Sequence, residues 1–349
     1  MAKCIFCGKK PESKTKEHVL SDWLIRLTGN KGKIGNFGFD YNVDPPKQRK
    51  FTFDSFTFPA CDSCNQDFKL LEKRASAVIK KMIIKSNISE LELNTLLDWL
   101  DKIRIGLFLA FNTLDKNYIH FIIDNYIKHN IGLYDRMVII NRIDEELKML
   151  SVRGCDSIAF RLKSSCFSLV INNLFLFSYV SPFLFPRRLG FPFYSKDSSE
   201  MSYGKKRIMY PLIRKPFIFK GTEIYQPMFP THSENGLTKY YDSDYVKEKT
   251  LIFDKGVGKI FIKKEREISL YKNENDWIPK PPDKNDYLDL AKNLAKQVCL
   301  TQNEALKNSK PNLDSYTEEK KKEIIKIGKK ASNDNKRIIQ MIDSNKSIL

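Results

Sequence analysis

Two pairs of cysteines near the start of the chain constrain its fold more than any other feature. Cys4 and Cys7 form one Cys-x-x-Cys motif, and Cys61 and Cys64 form a second. Two such motifs supply four thiolates, which suits tetrahedral zinc, and a site closed by four cysteines leaves no coordination position open for chemistry. We therefore expect a structural Zn²⁺ ion that joins two distant stretches of the chain.

Cysteine usage and the first residues indicate the compartment. The chain begins without the apolar segment of a secretory signal, so we expect a cytoplasmic protein. In a reducing compartment, paired Cys-x-x-Cys motifs indicate a metal site and not disulfides. The remaining Cys155, Cys166 and Cys299 have no partner motif, and we expect them to be buried apolar residues.

The charge of the chain indicates a polyanionic partner. With 60 Lys and Arg against 42 Asp and Glu, the formal net charge is +18, and such a potential raises the encounter rate with nucleic acid. A Lys-, Asn- and Ile-rich composition that reflects biased genomic base content is the alternative explanation. The length of 349 residues and the 42% hydrophobic content suffice for two or three domains with real cores.

Hydrophobic periodicity predicts an α+β protein with four parts. The first, residues 1–88, is expected to hold a helix opened by Ser21 and Asp22, a strand pair at residues 51–53 and 56–58, and a helix after Cys64. That helix is expected to bury an apolar stripe of Phe68, Leu71, Ala75, Val78 and Met82. Residues 89–133 are predicted to form a helical linker from two patterns, 91–100 and 103–111, ending near Asn112.

The rest of the chain is predicted to be β-rich and then helical. Strands are expected in a domain of residues 134–279, at 136–140, 158–162, 217–219, 251–253 and 259–262. The uncharged stretch 164–186 is predicted to be a buried β-hairpin turning at Asn172 and Asn173, and not a membrane span. Residues 280–349 are predicted to be a Lys-rich helical tail.

An acidic residue and a histidine stand between the cysteine pairs, and an asparagine follows the second pair directly. These are Glu17, His18 and Asn65. In this order they resemble the HNH endonuclease family, whose treble-clef-like ββα-metal fold places an acidic-His pair on a strand and a closing metal ligand on the helix. The resemblance covers about a fifth of the chain.

The resemblance implies a role for each of these residues. His18 matches the general base that takes a proton from the attacking water, a task that suits imidazole because it titrates near neutral pH. Glu17 matches a ligand of one catalytic Mg²⁺ or Mn²⁺ ion. Asn65 stands where many members have a histidine, and an amide oxygen can coordinate the same ions. The resemblance thus implies a metal-dependent endonuclease that hydrolyses DNA, with RNA left open, as in bacterial restriction or antiphage defence.

The chain departs from the family pattern at the middle asparagine. No asparagine comes shortly before Cys61, where the motif expects one. Asp54 is one substitute, and Asn36 or Asn42 from the Gly- and Lys-rich segment 28–50 are others. That segment is expected to be an elaborated loop.

A second class of function remains open. Cys-x-x-Cys pairs also occur in zinc ribbons that only bind nucleic acid or protein, and there Glu17 and His18 would be an ordinary surface pair. The alternative is therefore a non-catalytic zinc-knuckle nucleic-acid-binding or adaptor protein. Glu72 lies two helical turns beyond Asn65, and we expect it to form a salt bridge.

The β-rich domain carries the basic residues that would contact DNA or merely face solvent. They are Arg187, Arg188, Lys205, Lys206 and Arg207. We expect this domain to recognise a target, a protein partner or a second copy of the chain.

Overall fold

The computed structural model describes residues 3–11, 15–40, 43, 47–114, 126–181, 193–194, 208–209, 219–226, 260–264, 267–279, 287–308 and 317–344. The N-terminal elements are β1 Thr15–His18, α1 Asp22–Leu27, β2 Ile34–Asp40, β3 Lys47–Thr52, β4 Thr57–Ala60, α2 Asp62–Ile83 and α3 Glu90–Leu114. Next come α4 Ile127–Asn130, β5 Asp135–Arg142, β6 Leu150–Arg153, α5 Ile158–Leu162, β7 Cys166–Ile171 and β8 Leu174–Ser181. The last are β9 Phe193–Tyr194, β10 Ile208–Met209, β11 Thr222–Gln226, β12 Phe261–Lys264, β13 Glu267–Leu270, α6 Tyr287–Asn308 and α7 Glu318–Asp343.

The N-terminal strands pair differently from the prediction. β1 pairs antiparallel with β4, and β2 pairs antiparallel with β3. The predicted pairing of residues 51–53 with 56–58 is therefore wrong. A 3-10 turn at Phe53–Ser55 separates β3 from β4, and each strand takes a partner from earlier in the chain. The segment 28–50, expected to be a loop, contains β2 and most of β3.

The helix predicted after the second cysteine pair is confirmed. α2 buries the whole predicted stripe, Phe68, Leu71, Ala75, Val78 and Met82. The two patterns at 91–100 and 103–111 form a single helix, α3, because no Pro interrupts them and the one Gly within them, Gly106, is tolerated inside a buried helix. The structure describes α3 as far as Leu114, two residues beyond the predicted end at Asn112.

Seven strands form one antiparallel sheet in the order β13-β12-β11-β5-β8-β7-β6. The predicted hairpin is confirmed, because β7 and β8 pair around Asn172, which has a φ of 53°. Residues 158–162 are a helix and not the predicted strand, since Ser157 caps α5 by accepting from the amide of Phe160. Residues 217–218 and 251–253 lie outside the described residues. Within the described part of the chain, no helix is long and apolar enough to cross a membrane.

The sheet has a buried core on each face because side chains alternate along its strands. Val138 and Ile140 of β5 join a cluster with α3, whereas Met137 and Ile139 join a second cluster with α6. α7 packs in turn against α6 and α5. The first cluster extends from Cys4 to Trp277, so apolar contacts run across residues 88 and 133. The four-part division of the chain stays a prediction.

A buried polar network fixes α3 to the sheet. Arg136 of β5 donates to Asp98 of α3 and, through Nη2, to Gln226 Oε1 of β11 at 2.5 Å. Asp101 accepts from Arg104 Nη2 at 3.0 Å and from the amide of Gly132 at 2.9 Å. Buried charges are tolerated when they are paired in this way. α3 is therefore a fixed support, which matters because it also touches the candidate site.

Candidate metal centre and adjoining site

The four cysteines of the two motifs lie together and could hold a metal ion such as zinc. Their Sγ atoms all lie within 4.8 Å of one another. Cys7 Sγ and Cys61 Sγ are 3.8 Å apart, which matches the edge of about 3.8 Å expected for a tetrahedron with Zn–S bonds of about 2.3 Å. The cluster predicted from the sequence is therefore present.

The first cysteine pair sits on a tight turn that is tied to β4. The amide of Gly8 donates to the Cys4 carbonyl at 2.9 Å, and the amide of Ile5 donates to the carbonyl of Pro59 at 2.9 Å. Gly8 has a φ of +76°, and a Cβ there would lie 2.2 Å from the ring of Tyr126. The second pair is placed by the start of α2, where Cys61 is the N-cap and Cys64 is buried. β4 thus brings the two pairs together across 54 positions of sequence.

The thiols of the cluster are not equivalent. Burial and the neighbouring Cys4 and Cys7 thiols raise the pKa of Cys61 to about 12. Burial would also raise the pKa of Cys4, but backbone N–H groups outweigh it and lower the value, led by the amide of Cys61 at 3.3 Å. N–H groups aimed at sulfur favour a thiolate, the form that binds metal. Zinc would displace the protons from the remaining thiols.

Glu17 is held by a buried lysine from α3. Lys102 Nζ donates to Glu17 Oε1 at 2.5 Å and also to Glu72 Oε1, and the Lys102 side chain is only 1% exposed. Ser21 Oγ donates to Glu72 Oε1 at 2.5 Å. The salt bridge expected for Glu72 is thus present, and its partner is Lys102. Glu17 Oε2 receives no hydrogen bond from the residues that the structure describes.

The electrostatics of this group follow from two carboxylates sharing one ammonium. Burial is the largest influence on Glu17 and raises its pKa, although Lys102 opposes that effect. Burial alone would lower the pKa of Lys102, but the charges and hydrogen bonds of Glu72 and Glu17 raise it above its usual value. Lys102 therefore stays protonated, and the group as a whole has an excess of acidic side chains.

α3 approaches β1 closely through one face. Trp99, Lys102 and Gly106 recur at helical spacing, and Trp99 Nε1 donates to Ser21 Oγ at 3.5 Å. A Cβ at Gly106 would lie 3.3 Å from Cγ1 of Val19, the residue that follows β1, so the missing side chain lets α3 lie close to the end of that strand. Lys102 Nζ also lies 5.9 Å from the centre of the Phe6 ring, which stacks on Phe68 of α2. Phe6, which lies between Cys4 and Cys7 in the chain, thus packs against both α2 and Lys102 and connects the cysteine cluster to the acidic group.

His18 ends β1 in a defined tautomer. Its Nε2 lies 2.9 Å from the backbone carbonyl oxygen of Asp54. A carbonyl can only accept, so Nε2 carries the proton and the lone pair of a neutral ring is on Nδ1. Asp54, one of the substitutes considered for the missing asparagine, thus orients His18 through its main chain.

Asn65 lies in the first turn of α2 with an unsatisfied amide oxygen. Its backbone amide donates to the Cys61 carbonyl at 2.9 Å, whereas its Oδ1 is buried and has no hydrogen-bond partner among the residues that the structure describes. The same holds for Oδ1 of Asp54. Asn36 lies in β2, and Asn42 lies outside the described residues. A buried oxygen without a donor is unusual, and a cation is one partner that would satisfy it.

The basic residues predicted to contact DNA are not among those that the structure describes. Arg187, Arg188, Lys205, Lys206 and Arg207 lie outside the described residues, so their contact with DNA stays a prediction. Sequence reasoning missed Lys102 altogether. The available signal was a lysine at a position that helical spacing from Trp99 and Gly106 marks as buried.

Comparison with known proteins finds no matching family model, no matching curated protein and no matching solved structure.

Proposed function

We propose that the chain is a metal-dependent endonuclease of the HNH type that hydrolyses phosphodiester bonds in DNA. One observation carries the proposal: His18 is oriented by Asp54 with Nδ1 as its lone-pair nitrogen, on a strand whose partner runs directly into the cysteine cluster and α2. An antiparallel strand pair followed by a helix is the order that the ββα-metal resemblance implies. A bacterial restriction or antiphage role belongs to the same proposal.

In this proposal His18 Nδ1 accepts a proton from the attacking water. The fixed Nε2 donor keeps the ring in one tautomer, so no rearrangement precedes the transfer. Zn²⁺ at Cys4, Cys7, Cys61 and Cys64 has only a structural role, since all four positions are protein ligands.

The resemblance implies that Glu17 and Asn65 supply oxygen ligands to a hard divalent cation. Asn65 Oδ1 is buried without a donor, and Glu17 keeps Oε2 after Lys102 has bound Oε1. Oxygen ligands of this kind suit Mg²⁺ or Mn²⁺, and the ion would supply charge neutralisation at the scissile phosphate. Lys102 holds Glu17 in place, so the carboxylate does not have to be ordered when the ion binds.

A metal-dependent cleavage assay tests the proposal. Zinc-loaded protein would be incubated with supercoiled plasmid, single-stranded DNA and RNA, each with Mg²⁺, with Mn²⁺ and without added divalent ion. We expect nicked plasmid only where a divalent ion is present. Cleavage of RNA alone would move the proposal to a ribonuclease, and no cleavage of any substrate would contradict it.

A non-catalytic zinc-knuckle protein that binds nucleic acid or acts as an adaptor is the second candidate. The observation that favours it is the engagement of Glu17 and Glu72 by Lys102, which gives both carboxylates a structural partner. On that reading, binding to DNA is independent of divalent ions and His18→Ala changes nothing measurable. The cleavage assay therefore separates the two candidates.

A further inference from the structure

The exposed face of α7 carries an unbroken stripe of basic and amide side chains. Its members recur every three or four residues and so lie on one side of the helix. They are Lys322, Lys326, Lys329, Asn333, Lys336 and Gln340, all exposed, and we call them the α7 stripe. At a rise of 1.5 Å per residue the stripe is about 27 Å long.

Three of the five carboxylates of α7 form ion pairs with lysines outside the stripe, whereas no ion pair is seen among the described residues for Glu319 and Asp334. Glu318 pairs with Lys321 at 2.6 Å, and Glu323 pairs with Lys320 at 2.8 Å. Asp343 pairs with Lys296 of α6. By contrast, the four lysines of the α7 stripe form no ion pair with any residue that the structure describes.

The spacing of these lysines opposes helix stability. Lys322 and Lys326 are four residues apart, and Lys326 and Lys329 are three apart, so like charges face each other along the helix. Like-charge pairs at this spacing destabilise a helix, whereas alternating signs would stabilise it. These like-charge pairs cost the helix stability, and a bound polyanion would reduce their repulsion.

The opposite side of α7 is fully used by the fold. Ile324, Ala331 and Ile342 are buried there, where α7 packs on α6 and α5. Asn335 is fully buried, and its Nδ2 donates to Gln302 Oε1 at 3.2 Å. A basic amphipathic helix that binds a membrane inserts a continuous apolar face, whereas the main apolar face of α7 is covered and Ile325 and Met341 are its exposed large apolar side chains, at 48% and 44%. Charge is therefore the main feature that the exposed side of α7 offers to a partner.

We propose that the α7 stripe binds the sugar-phosphate backbone of duplex DNA. Lysines neutralise the closely spaced phosphates of a duplex where the helix lies along its backbone, and the net charge of +18 draws such a polymer towards the protein. Lysines and amides that contact phosphates fix the position of the duplex without reading its sequence. The inference goes beyond the proposed function, because it applies to a nuclease and to a zinc-knuckle binding protein alike.

The salt dependence of DNA binding tests this proposal. Affinity for a 30-base-pair duplex would be measured at several salt concentrations, without added divalent ion and without a chelator, so that neither cleavage nor zinc loss intervenes. In the variant K322Q/K326Q/K329Q/K336Q the slope of log K against log salt should shrink by about 3.6, since each of the four lost phosphate contacts removes about 0.9. At low salt, affinity should fall at least tenfold.

A charge-conserving variant is the matched control. K322R/K326R/K329R/K336R keeps the stripe basic, so its slope should equal that of the wild type, and circular dichroism should show equal helix content for both variants. A wild-type slope in the glutamine variant would overturn the proposal. The proposal also fails if the glutamine variant loses binding to phosphatidylserine vesicles but keeps its binding to DNA.

The outcomes separate this proposal from the nuclease proposal. DNA binding that depends on the α7 stripe, with no cleavage under any condition, supports the proposal that the stripe binds DNA and contradicts the nuclease proposal. Cleavage that depends on His18, with a wild-type salt slope in the glutamine variant, supports the nuclease proposal and contradicts DNA binding by the α7 stripe.

Discussion

Lys102 of α3 donates from Nζ to Oε1 of Glu17 at 2.5 Å, although the two residues are 85 positions apart. The candidate site is therefore not confined to the cysteine-bound strands and α2. α3 supplies the counter-charge for its acidic group, and the buried Arg136 network fixes α3 to the sheet. The position of Glu17 depends on the packing of the whole helix.

Lys102→Met should lower the free energy of unfolding by about 3 kcal/mol, because it leaves two largely buried carboxylates facing each other without a counter-ion. Urea unfolding measures the change. Lys81→Met is the matched control, since the Lys81 side chain is 42% exposed in its pair with Glu92, and it should cost under about 1 kcal/mol. Adding Glu72→Gln to Lys102→Met should restore part of the loss. Strictly additive losses would show that the pair is not coupled.

Arg136→Met should destabilise the protein by about 3 kcal/mol or more, because it removes the buried positive charge that pairs with the carboxylate of Asp98. Arg142→Met is the control on the same strand. Its partner Asp144 is 60% exposed, so we expect a loss below about 1 kcal/mol. Equal losses for the two variants in urea unfolding would contradict a structural role for the network.

Purified protein should contain one zinc ion per chain, and Cys61→Ser should lose it and melt at a lower temperature. Structural zinc contributes about 10–16 kcal/mol in small zinc modules, so its loss should unfold the N-terminal region. Elemental analysis and thermal melting measure both effects. Cys155→Ala, which changes a buried cysteine outside the cluster, should keep its zinc. Zinc-free protein with unchanged melting would contradict the structural role.

Asn65→Ala should weaken the response of cleavage to Mn²⁺ while changing stability by less than about 1 kcal/mol, because its Oδ1 accepts no hydrogen bond from the described residues. Asn94→Ala should show the opposite pattern. Asn94 Oδ1 accepts from Gln226 Nε2 at 2.7 Å, so this change should cost stability and leave the Mn²⁺ response alone. A titration of cleavage rate against Mn²⁺ concentration measures the response of each variant. An unchanged midpoint for Asn65→Ala would exclude Asn65 as a metal ligand.

Local patterns of sequence predicted local structure well. The stripe from Phe68 to Met82 specified a helix, and Asn172 specified the hairpin turn, because spacing and permitted backbone angles act over a few residues. The short apolar run at residues 158–162 was misread as a strand, since periodicity alone does not separate a short helix from a strand and the Ser157 cap decided it.

Long-range pairing was harder to predict. The partner of β4 is β1 and not β3, because contacts across the sheet depend on how distant segments meet. The four cysteines were an exception, since their chemistry requires a common centre. No comparable rule links Lys102 to Glu17, so that part of the site became visible only in the structure.

The most direct test of the nuclease proposal is the rate at which zinc-loaded His18→Ala nicks supercoiled plasmid in Mg²⁺ or Mn²⁺. Loss of a general base should slow cleavage by about 10²–10⁴-fold, with zinc content and DNA affinity unchanged. The exposed His129→Ala variant is the control and should cut at the wild-type rate. A wild-type rate for His18→Ala would contradict the assignment of His18 as the base and with it the HNH mechanism.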